Sequence, residues 1–213
     1  MIGARNMTKK KIFTKEELKA MGERTLDLLE SSIEAGDMET AKKLSQRMYS
    51  EFLAMHDLYR DWVTDILTFI GKRYGEEVLY EALKETVGGY TARLSSRYTN
   101  KPIRRKMKIL VAGLRGHLQP FKIEEDDEKF IITPQPCGSG GRLIKEGGYG
   151  PPYHFLKIEK PQPMTFNRSN FPVYCAHCYF QNITATEPGG PPLFITEPSQ
   201  KLGEKPCRIY VYK

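Results

Sequence analysis

The chain has 213 residues, of which 39% are hydrophobic and 28% are charged, and its formal net charge is +7. No apolar run approaches the roughly 20 residues that span a bilayer, and aromatic residues make up 11% of the chain, which is not the composition of a disordered protein. The composition therefore excludes a helical membrane protein and a wholly disordered one, and the length predicts one or two modest domains.

The N-terminus and the cysteines indicate the cellular compartment. The segment from residue 1 to 12 is basic, but no apolar segment of the signal-peptide type follows it, so we expect a cytosolic protein. In that reducing compartment, the four cysteines are more typical of metal ligands or redox-active thiols than of a disulfide framework.

The first two predicted helices are long. Thr14 and Glu17 form a capping box that begins one helix, and Gly36 ends it. A helix of about nine turns is predicted from Met38 to Ile70, because its apolar residues recur at spacings of three and four and predict a continuous buried stripe. The stripe consists of Leu44, Met48, Phe52, Met55, Tyr59, Trp62, Ile66 and Phe69.

Two shorter helices complete the first half. One begins near Glu76 and is expected to end at Gly88-Gly89, and the other runs from Ile103 to Leu118. Short connections predict antiparallel neighbours in a bundle of about four helices. The wide apolar stripe of the long helix is also compatible with a homodimer.

The second half has a different composition. Thirteen of the 14 prolines and all four cysteines lie beyond Leu118, and proline disfavours helix interiors. We predict a hairpin from residues 121–123 and 130–132, with further strands at 171–174, 193–196 and 208–212. The predicted fold class is therefore α+β, with a helical bundle at 1–118 and a small, loop-rich β module at 119–213 that holds a Cys/His metal site.

The most specific motif is Cys175-Ala-His-Cys178, since two thiolates at this spacing can bind one metal ion from a tight turn. The remaining ligands would come from Cys137, His154 or Cys207. Cys137 and His154 would complete a Cys₃His site, and Cys207 in place of His154 would make a Cys₄ site. Both sets suit zinc, and the Cys₄ set suits an iron–sulfur cluster as well.

The seven residues from Tyr174 to Phe180 (Tyr-Cys-Ala-His-Cys-Tyr-Phe) resemble the Cys-x-His-Cys active site of thioredoxin-fold oxidoreductases. The resemblance implies a reactive dithiol at Cys175 and Cys178. The segment after Cys178 is short and rich in glycine and proline, and it cannot supply the helices and hairpin of that fold. We therefore retain the dithiol chemistry as an alternative and not the fold.

A glycine-rich loop follows the hairpin at Cys137-Gly-Ser-Gly-Gly141. Its backbone amides could converge into an anion-binding nest, with Arg142 close by to hold a carboxylate or phosphate. The loop could equally be a turn that presents Cys137 to a metal. If the metal site is catalytic, His177 is the natural general acid and base; otherwise it binds a carbonyl group or lies exposed.

The segment 93–108 contains seven basic residues and no acidic one, with Tyr98 among them. Such a segment can bind nucleic-acid phosphates, although a solvated helix face or pairing with the acidic residues 124–128 explains it as well. In the long helix, His56 is interpreted as a hydrogen-bonded residue at the edge of the core, and Asp57 lies on the polar side. His117 falls at the junction of the two halves, where a site between them would form.

The sequence thus favours a cytosolic, metal-dependent enzyme that acts on a small anionic molecule by hydrolysis or lyase chemistry. Zinc would bind Cys137, Cys175 and Cys178, His177 would transfer protons, and Arg142 would hold the anion. The alternative is a binding module with a structural zinc whose basic segment contacts nucleic acid or an acidic partner. A dithiol oxidoreductase at Cys175 and Cys178 is a further alternative.

Overall fold

The structure is a computed structural model that describes residues 12–186 and 190–213. The N-terminal segment considered above lies almost wholly outside the described residues. Helices and strands are both present, which confirms the mixed α+β class. The helices are α1 (Lys15–Gly22), α2 (Thr25–Glu34), α3 (Met38–Tyr74), α4 (Glu76–Ser95), α5 (Ile103–Arg115), α6 (Gly140–Lys145) and α7 (His177–Thr184). None of the described helices is both long and apolar enough to cross a membrane.

The chain divides into two compact units, Met1–Met55 and His56–Lys213. This division lies within α3 and differs from the change in composition near Leu118. The predicted domains 1–118 and 119–213 follow composition alone and stay a prediction.

In the first unit, the predicted capping box is confirmed. Glu17 Oε2 accepts from the Thr14 amide at 2.7 Å, and Thr14 Oγ1 accepts from the Glu17 amide at 3.1 Å. The helix does not continue to Gly36 as predicted, because α1 ends at Gly22 and α2 begins at Thr25. Thr25 is buried, and its hydroxyl donates to the carboxylate of Glu51 at 2.8 Å.

Helix α3 forms as predicted and continues beyond Ile70 to Tyr74, but its predicted buried stripe is wrong. Met55 is 50% exposed, and Trp62 and Phe69 are each 59% exposed. The buried face of α3 within the second unit instead carries Arg60, Thr64, Leu67 and Thr68. The polar members of this face can be buried because they have partners: Arg60 forms ion pairs, and Thr64 donates to the Arg60 carbonyl oxygen at 2.6 Å.

Helix α4 continues through Gly88-Gly89, where an end was predicted. A Cβ atom at Gly88 would lie 3.7 Å from Thr184 of α7, so this part of α4 packs closely on α7. The hydroxyls of Thr91 and Thr184 are 2.8 Å apart and join the two helices. Tertiary packing therefore overrides the low helix propensity of glycine here.

The second unit contains a four-stranded antiparallel sheet in the order β1-β2-β6-β5. The predicted hairpin and last strand are confirmed, and the members of the sheet are β1 (Phe121–Glu125), β2 (Lys129–Pro134), β5 (Ile195–Glu197) and β6 (Arg208–Tyr212). The strand predicted at 171–174 is shorter: β4 (Phe171–Pro172) pairs only with β3 (Lys157–Ile158). The chain then forms a 3₁₀ turn at Val173–Ala176 that leads directly into α7.

Two apolar cores hold this unit together. One joins α3 and α4 to the segments around α7, and its buried members are Leu67, Leu79, Leu83, Val87, Ile158, Met164, Val173, Ala176 and Phe180. The other joins α5 to the sheet, and its buried members are Tyr98, Met107, Leu110, Ile132, Ala185, Phe194, Ile209 and Val211. Helices α3 to α5 thus share their cores with the proline-rich half of the chain.

Candidate functional site

A cavity of about 1020 Å³ lies within the second unit. Apolar side chains of α3, α4 and α5 form one wall, including Leu67, Leu83, Val87, Leu94, Leu110 and Leu114. The glycine-rich loop, the 3₁₀ turn and the beginning of α7 also line the cavity, and together with Cys207 they form what we call its sulfur-rich wall.

All four cysteines line this cavity. Cys137 follows β2, Cys175 and Cys178 lie in the 3₁₀ turn and α7, and Cys207 directly precedes β6. His117 and His177 line the cavity as well. Segments that are far apart in the sequence therefore bring six sulfur and imidazole side chains to one cavity.

His154 lies elsewhere, as an exposed residue outside the lining of this cavity. Its carbonyl oxygen accepts a hydrogen bond from Lys72 Nζ at 3.0 Å. Of the two predicted ligand sets, the structure therefore brings together the four cysteines and does not bring His154 to them.

Thiols are a suitable type of metal ligand, but these thiols are not arranged as a metal site. Within residues 12–186 and 190–213, no three His, Cys, Asp or Glu side chains are placed to hold a metal ion. Burial raises the pKa of Cys178 to about 12 and that of Cys207 to about 11, and it raises the pKa of Cys175 as well. In this arrangement the thiols are neutral, and a metal would have to displace their protons.

His177 has a defined tautomer. Its Nδ1 lies against the carbonyl oxygen of Tyr174, which can only accept, so Nδ1 carries the proton. The unprotonated Nε2 lies 3.6 Å from Sγ of Cys178. Burial lowers the pKa of His177, which favours the neutral ring. Because Nδ1 carries the proton of this neutral ring, the atom that can accept a further proton is Nε2, on the side of Cys178.

The glycine-rich loop packs tightly around the cysteines. Burial raises the pKa of the Cys137 thiol, and hydrogen bonds from the backbone amides of Gly141, Ser139 and Gly140 to its sulfur oppose part of that rise. These amides thus face Cys137 itself. A Cβ atom at Gly140 would lie 2.7 Å from Sγ of Cys175, and one at Gly138 would lie 2.2 Å from the His117 carbonyl oxygen. The loop requires glycine at both positions for lack of space.

Arg142 lies outside the cavity lining and is already engaged by carboxylates. Its Nη1 donates to Asp57 Oδ2 at 2.8 Å and to Glu146 Oε1 at 3.0 Å, and its Nε donates to the Gly138 carbonyl oxygen at 2.9 Å. Arg142 hydrogen-bonds Asp57 and lowers its pKa to about 2, so the carboxylate is ionised. The structure thus gives Arg142 the role of linking α6 to α3.

Other cations line the cavity, and the sequence did not assign them to a small-molecule site. They are Arg97, Arg105, Lys108 and Lys205. None of the four forms an ion pair or a side-chain hydrogen bond with any residue that the structure describes. Three of them belong to the predicted basic segment, whose charge concentration was the available signal.

Sequence reasoning also missed Ser139, which is buried and lines the cavity. Its Oγ lies 3.3 Å from Nε2 of His56. The glycines on both sides of Ser139 were the signal that could have identified it. A serine between two glycines has no side chain on either sequence neighbour to cover its hydroxyl.

A search of protein families, of curated proteins and of solved structures finds no match to this chain. A proposal about its function therefore rests on the site itself.

Proposed function

We propose that the second unit is an enzyme that acts on an anionic small molecule by hydrolysis or lyase chemistry at the sulfur-rich wall of the cavity. One observation carries this proposal: all four cysteines of the chain, together with His117 and His177, line the same cavity. A cavity that combines apolar walls with a few convergent polar groups is the usual form of a small-molecule site.

The metal remains part of this proposal. Zinc would be held by Cys137, Cys175 and Cys178, with Cys207 as the fourth ligand in place of His154, and an iron–sulfur cluster is the alternative. If Cys137, Cys175 and Cys178 alone held the zinc and Cys207 did not bind it, the open fourth position would take a water molecule, whose pKa would fall toward about 7. Among this chain's own residues, His177 would accept and return the proton at Nε2, the ring atom that faces Cys178.

The cavity supports a more specific substrate than a small polar anion. Arg97, Arg105 and Lys108 offer positive charge, and the leucine-rich wall offers apolar surface. Both kinds of surface would be used by a molecule that carries an anionic group on an apolar body. These cations replace Arg142 in the proposed role of anion binding.

The second candidate is a binding module for nucleic acid or an acidic partner. Arg93 and Arg104 favour it, because both are exposed and lie outside the cavity lining. The dithiol oxidoreductase would require rapid alkylation of Cys175 or Cys178 near neutral pH. A cytosolic location and a homodimer through the exposed stripe of α3 are proposed as well.

Metal content tests the central proposal. The full chain, purified without added metal, is compared with the double variant Cys175→Ser/Cys178→Ser by elemental analysis. About one zinc per chain, or the iron of one cluster, is expected in the unmodified protein and less than a tenth of that in the variant. His154→Ala is the matched control and should keep its metal. A metal-free unmodified protein would remove the metal from the proposal.

A further inference from the structure

A serine and a histidine from distant segments meet at the sulfur-rich wall of the cavity. Oγ of Ser139 lies 3.3 Å from Nε2 of His56, and 83 positions separate the two residues in the sequence. Ser139 is 4% exposed and lines the cavity, whereas His56 lies on α3 and is outside the cavity lining. A hydroxyl beside an imidazole nitrogen is the arrangement that activates a nucleophile.

Asp57 provides the third group of this arrangement. Its Oδ1 lies 3.1 Å from Nδ1 of His56, and Arg142 donates to both carboxylate oxygens. Nδ1–H donating to this ionised carboxylate leaves the lone pair of Nε2 directed at the Ser139 hydroxyl. Arg142 Nη2 also lies 3.2 Å from Nδ1. In the opposite tautomer, Nδ1 would accept from Arg142, and Nε2–H would donate to Ser139.

The hydroxyl of Ser139 is not used to hold its own loop. Ser139 occupies the N-cap position of α6, yet in the described structure its side chain makes no capping hydrogen bond. The flanking Gly138 and Gly140 have no side chains that could cover the hydroxyl. Its other polar neighbour is the hydroxyl of Tyr174, which also lines the cavity.

We propose that Ser139 is a catalytic nucleophile and that His56, oriented by Asp57, is its general base in the hydrolysis of an ester with an apolar acyl group. Oγ bonds to the acyl carbon, and its proton passes to Nε2 of His56. The bond from the acyl carbon to the alcohol oxygen then breaks, and the alcohol leaves with that proton. Water adds to the acyl carbon of the acyl-serine, the bond to Oγ breaks, and a carboxylic acid and free Ser139 result.

This assignment rests on the proposed function only in that the substrate enters the same cavity. The apolar wall would hold the acyl group, and the cations of the cavity would face the carboxylate product. The reaction needs water and no other co-reactant, so it stands or falls independently of the metal.

Covalent labelling tests the assignment on the full chain. Diisopropyl fluorophosphate is added, and the modified residue is located by peptide mass spectrometry. We expect one phosphoryl group per chain on Ser139, and a labelling rate that falls about a hundredfold in His56→Gln, the range expected for loss of a general base. Ser139→Ala should not be labelled at this position. Ser95→Ala is the matched control, since Ser95 is a buried serine outside the cavity lining, and it should be labelled at the normal rate.

Two results would overturn the assignment. Absence of label on Ser139 in the unmodified protein would remove the nucleophile, and this result does not depend on how any variant folds. An unchanged rate in His56→Gln that retains its thermal unfolding midpoint would remove the base and indicate the opposite tautomer. Hydrolysis of p-nitrophenyl butyrate by the same proteins gives a second readout. A labelled but metal-free protein would overturn the metal alone, whereas an unlabelled protein that contains metal would overturn the serine alone.

Discussion

Arg142 donates to Asp57 at 2.8 Å across 85 positions of sequence and so joins α6 to α3. The sequence suggested a substrate anion as the partner of this arginine. In the structure, its partners are the carboxylates of Asp57 and Glu146, and the Asp57 carboxylate also contacts the ring of His56. The pair therefore positions the glycine-rich loop relative to the helix that carries His56.

The link between Asp57 and Arg142 predicts a pH dependence of stability. The pKa of Asp57 falls from 3.8 to about 2 in the folded protein, with the Arg142 hydrogen bond as the largest cause. The stabilisation is present above pH 3.8 and is lost as the pH falls toward 2. Asp57→Asn should lower the free energy of unfolding by about 2 kcal/mol at neutral pH. The loss should be much smaller near pH 2, where Asp57 itself becomes protonated. Urea unfolding at both pH values measures the difference.

Asp65→Asn is the control for that measurement, because Asp65 is an exposed residue of the same helix. Its effect on the free energy of unfolding should be small, because Asp65 is exposed. An equal effect of both substitutions at every pH would show that Asp57 makes no special contribution.

Gly140→Ala should destabilise the second unit. The new Cβ would lie 2.7 Å from Sγ of Cys175 and 3.2 Å from the Tyr174 ring, and the buried surroundings leave little room to move. We expect a loss of about 1 to 3 kcal/mol, the usual range for overpacking. Gly113→Ala in α5 is the matched control, since no atom beyond its chain neighbours and the backbone of its own helix lies within 4 Å of the place that its new methyl group would take.

The free energy of unfolding of the control, Gly113→Ala, should rise by up to about 1 kcal/mol, because alanine has a higher helix propensity than glycine. Thermal and urea unfolding measure both variants. If Gly140→Ala unfolds at the same midpoint as the unmodified protein, the loop cannot pack against Cys175 as described.

Charge at the cavity should decide which apolar ligands bind. Decanoate is expected to bind more tightly than decanol, because Arg105 and Lys108 line the cavity and decanoate alone is anionic. Arg105→Ala/Lys108→Ala should weaken decanoate binding about tenfold and leave decanol binding unchanged, as measured by calorimetry. High salt should reduce the difference between the two ligands.

Arg104→Ala is the matched control for ligand binding, since Arg104 is exposed and outside the cavity lining. It should bind decanoate normally. Equal weakening by Arg104→Ala would indicate a general effect of positive charge on α5 and would favour the binding-module proposal.

The exposed stripe of α3 can be compared with the core by phenylalanine truncation. Phe180 is fully buried, so Phe180→Ala should cost about 3 to 5 kcal/mol. Phe69 is 59% exposed, and Phe69→Ala should cost less than about 1 kcal/mol if the stripe faces water. A large, concentration-dependent loss for Phe69→Ala, seen together with a dimer in sedimentation, would show that a second copy covers the stripe.

Local patterns in the sequence were sufficient for most of the elements. The capping box at Thr14, the periodicity of α3 and the two short apolar runs of the β1–β2 hairpin each depend on residues close together in the chain, and each element forms. The same patterns did not identify the end of α4, because the contact with Thr184 that accompanies Gly88 comes from a distant helix. They also did not identify the buried face of α3, because ion pairs allow Arg60 to be buried there.

The residues of the candidate site also fall into two groups, those that the local sequence predicted and those that only the tertiary structure identified. The sequence by itself determined that Cys175 and Cys178 are neighbours on one turn and that His177 lies between them, since this follows from their spacing. Only the tertiary structure decided that Cys137 and Cys207 join them and that His154 does not. It alone brought Ser139 to His56. Periodicity and spacing report the geometry of a few turns of chain, whereas the convergence of distant segments is decided by how helices and sheet bury their apolar surface together.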